Sequence, residues 1–399
     1  MMHPMKRTIS VLKFIGLIGL VAASFSFAMF QGGFVSWFLF GSFLPIAFYS
    51  ILLNFYPIKR ISIKRVLDKT EYVNGEMVSV KIHITLPYRI PLVYLFIKDE
   101  VSERSGGRPF SGTTVSFPLF SKERTFTYHH NLLPRGEYTF HKIRIQMGDL
   151  LGLTRKEVVV EQLEKIIVYP AYIEMKYDPF KTLFESGMTA AKDVAQRDST
   201  MAISTRTYQS GDRFSWIHWK QTARKNEIMT KEFEQRQSQD VLLILDRTPS
   251  PSFELAVKFT ASIVRSAVKA GTNIGLLSYG AERQYFPVQG GEAQLRTLNY
   301  HLATVNDDLN HDFHKILETE IFLKKPGQTM IFLVCQLRKE VIEKITDLCT
   351  RNNEIGIFLI KSRLEKVKPE EAALLEYAKG KGLNAKVVRE SDFTKAFER

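Results

Sequence analysis

The stretch V-L-L-I-L-D at Val241–Asp246, continuing R-T-P-S-P-S-F to Phe253, decides the fold. Five apolar residues without polar alternation fit a strand covered on both faces, the situation of a parallel sheet. Downstream, Phe253, Ala256, Val257, Thr260, Ile263, Val264, Ala267 and Val268 recur at helical spacing, and Gly271 stands where a helix Phe253–Ala270 would stop. The alternation then continues with strand Ile274–Tyr279, helices Ala293–Val305 and Phe313–Leu323, strand Met330–Cys335 and helix Val341–Arg351. Strand Ile355–Ile360, helix Glu370–Lys379 and strand Ala385–Val388 complete the series. Strands alternating with crossover helices specify an α/β domain with a parallel, doubly wound sheet over residues 239–399.

In open α/β sheets ligands bind beyond the carboxyl ends of the strands. Here that position carries Asp246, Thr248 and Ser250 at alternate places, and the domain resembles the von Willebrand factor A (Rossmann-like) fold. The resemblance implies that these three oxygens help to hold a Mg²⁺ ion, which takes hard oxygen ligands. Two neighbouring loops depart from that pattern: Gly290-Gly291 is followed by Glu292, and Met330–Cys335 is followed by the uncharged Gln336. An ordinary helix start, with Ser250 as N-cap and Pro251 at the first helical position, accounts for the same residues.

Immediately upstream, residues 206–234 mix cations, acids and two tryptophans around the turn signal Gly211-Asp212. The spacing predicts a turn over Ser210–Arg213, a helix Ser215–Arg224 capped by Ser215, and a strand Ile228–Phe233. On such a helix Trp216, Trp219 and Ala223 share a face. Arg206, Arg213, Lys220, Arg224, Lys225 and Lys231 beside the tryptophans have the makings of a nucleic-acid surface. Asp212, Glu227, Glu232 and Glu234 dilute it, which argues for internal pairing and against nucleic acid. His218 has no serine or cysteine nucleophile in a suitable turn, so a catalytic triad is a poor fit.

Residues 59–170 read as a β-sandwich of immunoglobulin-like type. Val78, Val80, Ile82 and Ile84 alternate with polar residues within Met77–Thr85. Further runs at Leu92–Ile97, Thr125–His130, Tyr138–Gln146 and Glu157–Val160 are separated by Gly, Pro and Asn turns. Residues 171–238 form the linker that carries the charged segment.

The first 67 residues contain no acid. Val11–Phe30 and Phe34–Phe55 are each long enough to cross a hydrocarbon core of roughly 30 Å. With Gln31-Gly32-Gly33 between them, residues 1–58 predict a two-span transmembrane hairpin. Lys6, Arg7, Lys13, Lys59, Arg60, Lys64 and Arg65 supply more than half of the net charge of +13. These flanks place both termini and the bulk of the chain in the cytoplasm, with the lipid bilayer as the first partner. Two cysteines, Cys335 and Cys349, fit reduced core thiols and offer no metal or redox spacing.

The pattern R-x-Y-x-x-G-D-x-x-x-x-I-H-W-K-x-x-A-R runs through Arg206, Tyr208, Gly211, Asp212, Ile217, His218, Trp219, Lys220, Ala223 and Arg224. With Lys231, Glu232, Phe233 and Glu234 following, it closely resembles the hallmark of domain-of-unknown-function family 58. Arg135, Gly136 and Tyr138, the run Gly148–Leu153 and Val168–Pro170 also match. The resemblance implies a bacterial membrane protein with a β-domain and a von Willebrand A-like domain. It also implies a MoxR-type AAA+ ATPase as partner, often with a transglutaminase-like membrane protein encoded nearby. No phosphate-binding Gly-Lys-Ser/Thr loop occurs, so ATP hydrolysis would belong to that partner. The expected role is a non-enzymatic adaptor in a chaperone-like or cell-envelope system. Its contact residues would be drawn from Arg206, Tyr208, Gly211, Asp212, Arg213, His218, Trp219, Lys220, Arg224, Lys231 and Glu234. The competing expectation is an enzyme acting on cell-envelope intermediates, with Asp212 and His218 as acid and base.

Overall fold

The acid-free N-terminal stretch forms two helices, α1 (Pro4–Gln31) and α2 (Phe34–Phe55). Gly32 and Gly33 turn the chain between them at φ +59° and +88°, values that side-chain-bearing residues rarely adopt. By length and composition α2 can cross a membrane, and α1 contributes a shorter apolar stretch, Ile15–Gln31. The computed structural model describes residues 4–89, 91–103, 110–149, 152, 154–177, 202–209, 214–233, 240–319, 329–349 and 354–397. The chain divides into two units, Met1–Pro170 and Ala171–Arg399.

After the helices, the first unit continues in eight strands. They are β1 (Ser62–Leu67), β2 (Glu71–Val73), β3 (Val78–Thr85), β4 (Tyr94–Glu103), β5 (Phe110–Ser116), β6 (Glu123–His130), β7 (Gly136–Gly148) and β8 (Arg155–Tyr169). One sheet has the order β1-β3-β6 and the other β2-β8-β7-β4-β5. All pairings are antiparallel except β2 with β8. The two sheets enclose one core. Val78, Val80, Ile82 and Ile84, each 1% exposed, meet Ile97, Phe140, Ile143 and Ile145 there. Each such burial stabilises by roughly 1.5–3 kcal/mol. Strands β1, β2 and β5 are additions to the expected set. Arg65, counted above among the membrane-flanking charges, lies in β1 and is buried in this core, paired with Asp99. Lys59, Arg60 and Lys64 remain exposed.

The second unit begins with residues 171–177, which pack onto its core instead of hanging as a free linker. Ile173 N–H donates to Ser262 Oγ (2.9 Å), and the Tyr177 ring meets Phe397 at 5.1 Å. A two-stranded hairpin follows, β9 (Ala202–Thr207) with β10 (Met229–Phe233), which encloses helix α3 (Trp219–Lys225). The remaining strands are β11 (Val241–Asp246), β12 (Ile274–Tyr279), β13 (Arg283–Gln289), β14 (Thr329–Val334), β15 (Glu354–Ile360) and β16 (Asn384–Val388). They form one sheet in the order β13-β12-β11-β14-β15-β16. All neighbours are parallel except β12 with β13.

The interleaved helices are α4 (Phe253–Lys269), α5 (Glu292–Thr304), α6 (Phe313–Thr319), α7 (Lys339–Cys349) and α8 (Pro369–Gly380). Strand periodicity sends Leu243 and Leu245 to a core with Val257, Ile263, Leu298 and Leu302 from α4 and α5. Leu242 and Ile244 go to a second core with Leu317, Ile342 and Leu375 from α6, α7 and α8. Helices thus cover both faces of an α/β sheet. The antiparallel edge strand β13 was not expected.

Candidate functional site

The charged segment builds a small self-capped module. In β9–β10, Arg206 lies opposite Thr230 and Lys231 opposite Thr205, and Tyr208 N–H donates to Ile228 O (2.8 Å). Phe214–Trp216 form a 3-10 turn, not the first turn of an α-helix. Ile217 then bridges to Thr230, and His218 N–H donates to Met229 O (2.7 Å). The helix α3 starts only at Trp219, so Ser215 is not its cap and Trp216, Trp219 and Ala223 do not share one helical face. The cap is His218, whose Nδ1 accepts from Gln221 N–H at 3.2 Å. Asn226 ends the helix in a left-handed conformation, φ +56°. Thr222 Oγ1 fastens the helix to β10, donating to His218 O (3.2 Å) and accepting from Met229 N–H (3.0 Å).

Beneath this frame Ile217, Met229 and Thr230 are buried. Helix α3 itself buries no residue: Trp219 is 68% exposed at its start, and Lys220, Arg224 and Lys225 of the same helix are exposed too. Among the described residues Lys220, Arg224, Lys231 and Glu227 make no ion pair; the side chains of Asp212, Glu232 and Glu234, the other acids expected to pair, lie outside the described residues. Gly211, Asp212, Arg213 and Glu234, with the turn over Ser210–Arg213, lie outside the described residues. The proposed acid/base pair is therefore represented only by His218, and one ring nitrogen of His218 is engaged in capping its own helix.

The second group sits at the carboxyl ends of β11, β14 and β15. Asp246 is 4% exposed, and its Oδ1 accepts from Thr248 N–H (2.9 Å) and Thr248 Oγ1 (2.6 Å). Burial pushes the Asp246 carboxyl above its ordinary value, against the two Thr248 hydrogen bonds and the Arg338 charge. Ser250 carries no cap role for α4: the helix begins at Phe253 after Ser252. Ser250 Oγ accepts from Ser252 N–H (3.3 Å), and its side chain also bonds the buried Cys335 thiol. That thiol is pushed up to about 12 by burial and by Asp246. Ser252 Oγ donates to Glu365 Oε2 (2.5 Å) and accepts from Ser362 N–H (2.8 Å). Lys361, 1% exposed, donates to Glu365 Oε1 and Glu371 Oε1, both at 2.9 Å.

These residues do not fit a hard dication. Mg²⁺ needs near-octahedral oxygen ligands at about 2.0–2.1 Å, whereas Asp246 is desolvated and closed on Thr248, and Glu365 and Glu371 are taken by Ser252 and Lys361. Gln336 turns to Pro249 O (3.4 Å). Among the described residues no group of three or more His, Cys, Asp or Glu is placed to hold a metal. Mg²⁺ is therefore expected to leave the thermal unfolding midpoint unchanged. Asp246→Asn keeps an acceptor for Thr248, a bond with a net worth of about 1 kcal/mol. A carboxyl with a raised folded pKa contributes stability at low pH and loses it as rising pH ionises the buried group. The Asn variant should thus equal or exceed wild type near neutral pH and lose that advantage on acidification. A Mg²⁺-induced rise in midpoint that the variant abolishes would restore the metal reading.

Lys361, Ser252, Glu365 and Glu371 were not singled out in the sequence. The signal was available: Lys361 directly follows the apolar run Ile355–Ile360, as Asp246 ends V-L-L-I-L-D. A groove of about 750 Å³ on the first unit was also missed. It is lined by Lys98, Glu100, Ser102, His141, Lys142 and Glu161, and a bulge in β7 turns His141 outward beside Ser102 (2.5 Å). Lys142 and Arg144 both neutralise Glu100 there (3.2 and 3.5 Å).

The family described as "Protein of unknown function DUF58" matches residues 204–373. The uncharacterised protein YeaD of Bacillus subtilis (strain 168) is 33% identical over 381 residues, covering 94% of this chain and 95% of its own length. Among solved structures, proximal thread matrix protein 1 from the mussel byssus is similar at 9% identity and a TM-score of 0.29, over 40% of this chain and 46% of its own. A β-glucosidase from Listeria innocua in complex with glucose is similar at 15% identity and a TM-score of 0.18, over 27% of this chain and 16% of its own. Likenesses of that size decide nothing about fold.

Proposed function

The chain belongs to the DUF58 family, and on that premise we propose that it is a membrane-anchored, non-catalytic adaptor whose contact face is the charged module. The observation that carries this is α3: a helix held at both ends by its own residues, burying none of them, with Trp219 68% exposed among cations. Exposed tryptophan and arginine on a fixed backbone are the residues that dominate protein interfaces. Their sign calls for an acidic partner surface.

The partner is a MoxR-type AAA+ ATPase, with a transglutaminase-like membrane protein as a further neighbour, and the system is chaperone-like or related to the cell envelope. We read the six-stranded sheet as von Willebrand A-like and doubly wound, supported by its parallel order and its helices on both faces. The β-domain is read as an immunoglobulin-like sandwich. The apolar helix pair is a two-span anchor with both termini and the bulk of the chain in the cytoplasm, supported by the exposed Lys59, Arg60 and Lys64 that follow α2. His218 as a helix cap gives no support to an acid/base role.

The test is co-purification of the full chain with the MoxR-type ATPase, comparing wild type with Trp219→Ala and Arg224→Glu. A hot-spot loss of about 2 kcal/mol weakens binding roughly 30-fold. The unfolding free energy should stay within about 0.5 kcal/mol of wild type, because α3 buries nothing. Undiminished binding in both variants would remove α3 as the contact face.

A further inference from the structure

Helix α2 does not end in solvent; its last two turns are built into the β-domain. Leu53 and Tyr56 belong to the sandwich core. Ser50 Oγ donates to Asp149 Oδ2 (2.6 Å), which also accepts from Thr154 N–H (3.1 Å). Tyr49 OH accepts from Val93 N–H (3.1 Å). Lys156 Nζ donates to the terminal carbonyls of Asn54 and Tyr56, the latter at 2.8 Å, satisfying groups that a helix end leaves open. The β-domain therefore begins at the level of Tyr49, and only Phe34–Phe48 of α2 is left to face hydrocarbon. At about 1.5 Å per residue that is roughly 22 Å, short of a core of roughly 30 Å. A short span is accommodated by thinning the bilayer or by sinking what flanks it.

What flanks it is apolar. Phe117, Leu119, Phe120 and Tyr88 are 63%, 54%, 64% and 49% exposed. They are held beside the helix by short links. Leu119 pairs with Leu92 through two backbone hydrogen bonds (3.1 and 3.2 Å), and the next residue, Val93, is the one bound to Tyr49. Tyr56 OH donates to Tyr88 O (3.4 Å), and the two rings lie 6.4 Å apart. Leu119 holds φ +50°, uncommon for a residue with a side chain. Next to these residues in sequence Arg89, Lys122 and Arg124 are exposed, with the single acid Glu123 among them, and Lys59 and Arg60 are exposed just past the end of α2. Aromatic side chains flanked by an excess of cations are the composition of a membrane interface, and the cations suit anionic headgroups.

We propose that Tyr88, Phe117, Leu119 and Phe120 insert into the headgroup region of the same bilayer that takes α1 and α2, a second anchor that fixes the β-domain against the membrane surface. This rests on reading α2 as a membrane helix. The test uses the full chain with Cys335 and Cys349 replaced by serine, in nanodiscs of phosphatidylcholine and phosphatidylglycerol. One environment-sensitive dye is placed on Phe38→Cys, Phe117→Cys, Phe120→Cys or Leu163→Cys. Leu163 is 73% exposed and lies about 23 Å along β8 from Lys156, which holds the helix end, at roughly 3.3 Å per residue. Brominated acyl chains should quench positions 38, 117 and 120 severalfold and leave 163 unchanged. Quenching at 38 with 117 and 120 behaving like 163 overturns the inference, and leaves the patch to a protein partner or to solvent. No quenching at 38 overturns the membrane reading and the inference with it.

Discussion

Replacing Asp99 with alanine is expected to lower the unfolding midpoint of the chain by more than about 10 °C. Asp99 is fully buried, and its carboxylate takes Arg65 Nε (3.0 Å), a second Arg65 nitrogen (2.5 Å) and Tyr128 OH (2.8 Å). Arg65 also donates to Gln162 O (2.8 Å), and its guanidinium lies 4.9 Å from the Phe140 ring centre. Arg65 and Tyr128 come from the three-stranded sheet and Asp99 from the five-stranded one, so the pair ties the two sheets through their core. Burial, and then the Asp99 charge, push the Tyr128 hydroxyl far above its ordinary pKa, so it stays a donor at every accessible pH. Removing one partner of a buried pair costs about 3–5 kcal/mol, because the other is left charged without compensation. That is a large part of the roughly 5–15 kcal/mol that holds a domain together.

The double variant Arg65→Met with Asp99→Leu removes both charges and fills similar volume. Such replacements are often neutral or stabilising. Thermal unfolding of the full chain in detergent should therefore show a deep loss for Asp99→Ala and recovery of most of it in the double variant. Equal losses in both would mean that the site matters for its shape and not for its charge.

Legibility in the sequence followed burial. Val241–Asp246 and Ile274–Tyr279 are covered on both faces, so their residues are apolar throughout and their bounds were readable to within a residue. Strand β13 is an edge, mostly half-exposed and interrupted by Pro287, and its R-Q-Y-F-P-V-Q carries neither a continuous nor a clean alternating pattern. β1 was hidden by its cations: in S-I-K-R-V-L, one of the two charges points into the core, and local pattern cannot tell a lysine that faces water from an arginine that meets Asp99. The motif around His218 was legible as a motif. Its cap was not, because serine at 215 is the commoner helix start, while the bridge from Ile217 to Thr230 delays the helix by a non-local contact.

Lys361→Met is expected to cost about 3–5 kcal/mol at neutral pH, and the loss should shrink on acidification. Lys361 continues β15, with its N–H on Val388 O (3.1 Å), and its ammonium holds two carboxylates. Glu371 also accepts from Lys368 N–H (3.1 Å) and so starts α8, while Glu365 takes the Ser252 hydroxyl at the start of α4. One cation thus gathers the loops that follow β11 and β15, over the crevice where open α/β sheets take ligands. The crevice is filled by the protein's own charges. Burial alone would lower the Lys361 pKa, but the hydrogen bonds to Glu371 and Glu365 outweigh it and raise it. For Glu365 burial pulls upward, and the bonds from Ser252 and Lys361 outweigh it to lower the pKa.

A lowered carboxyl contributes stability above its unfolded pKa and loses it as pH falls through the folded one. A raised ammonium contributes below its unfolded pKa and loses it as pH rises past the folded one. The wild-type contribution is therefore flat between the ordinary carboxylate and lysine ranges. Without the ammonium the two carboxylates are stranded beside one another, and each is relieved by taking up a proton. The midpoint gap between wild type and Lys361→Met, measured by thermal unfolding across that range, should narrow as pH falls. A gap independent of pH would mean that the methionine fails for lack of fit, and that the charge of Lys361 does not hold these loops.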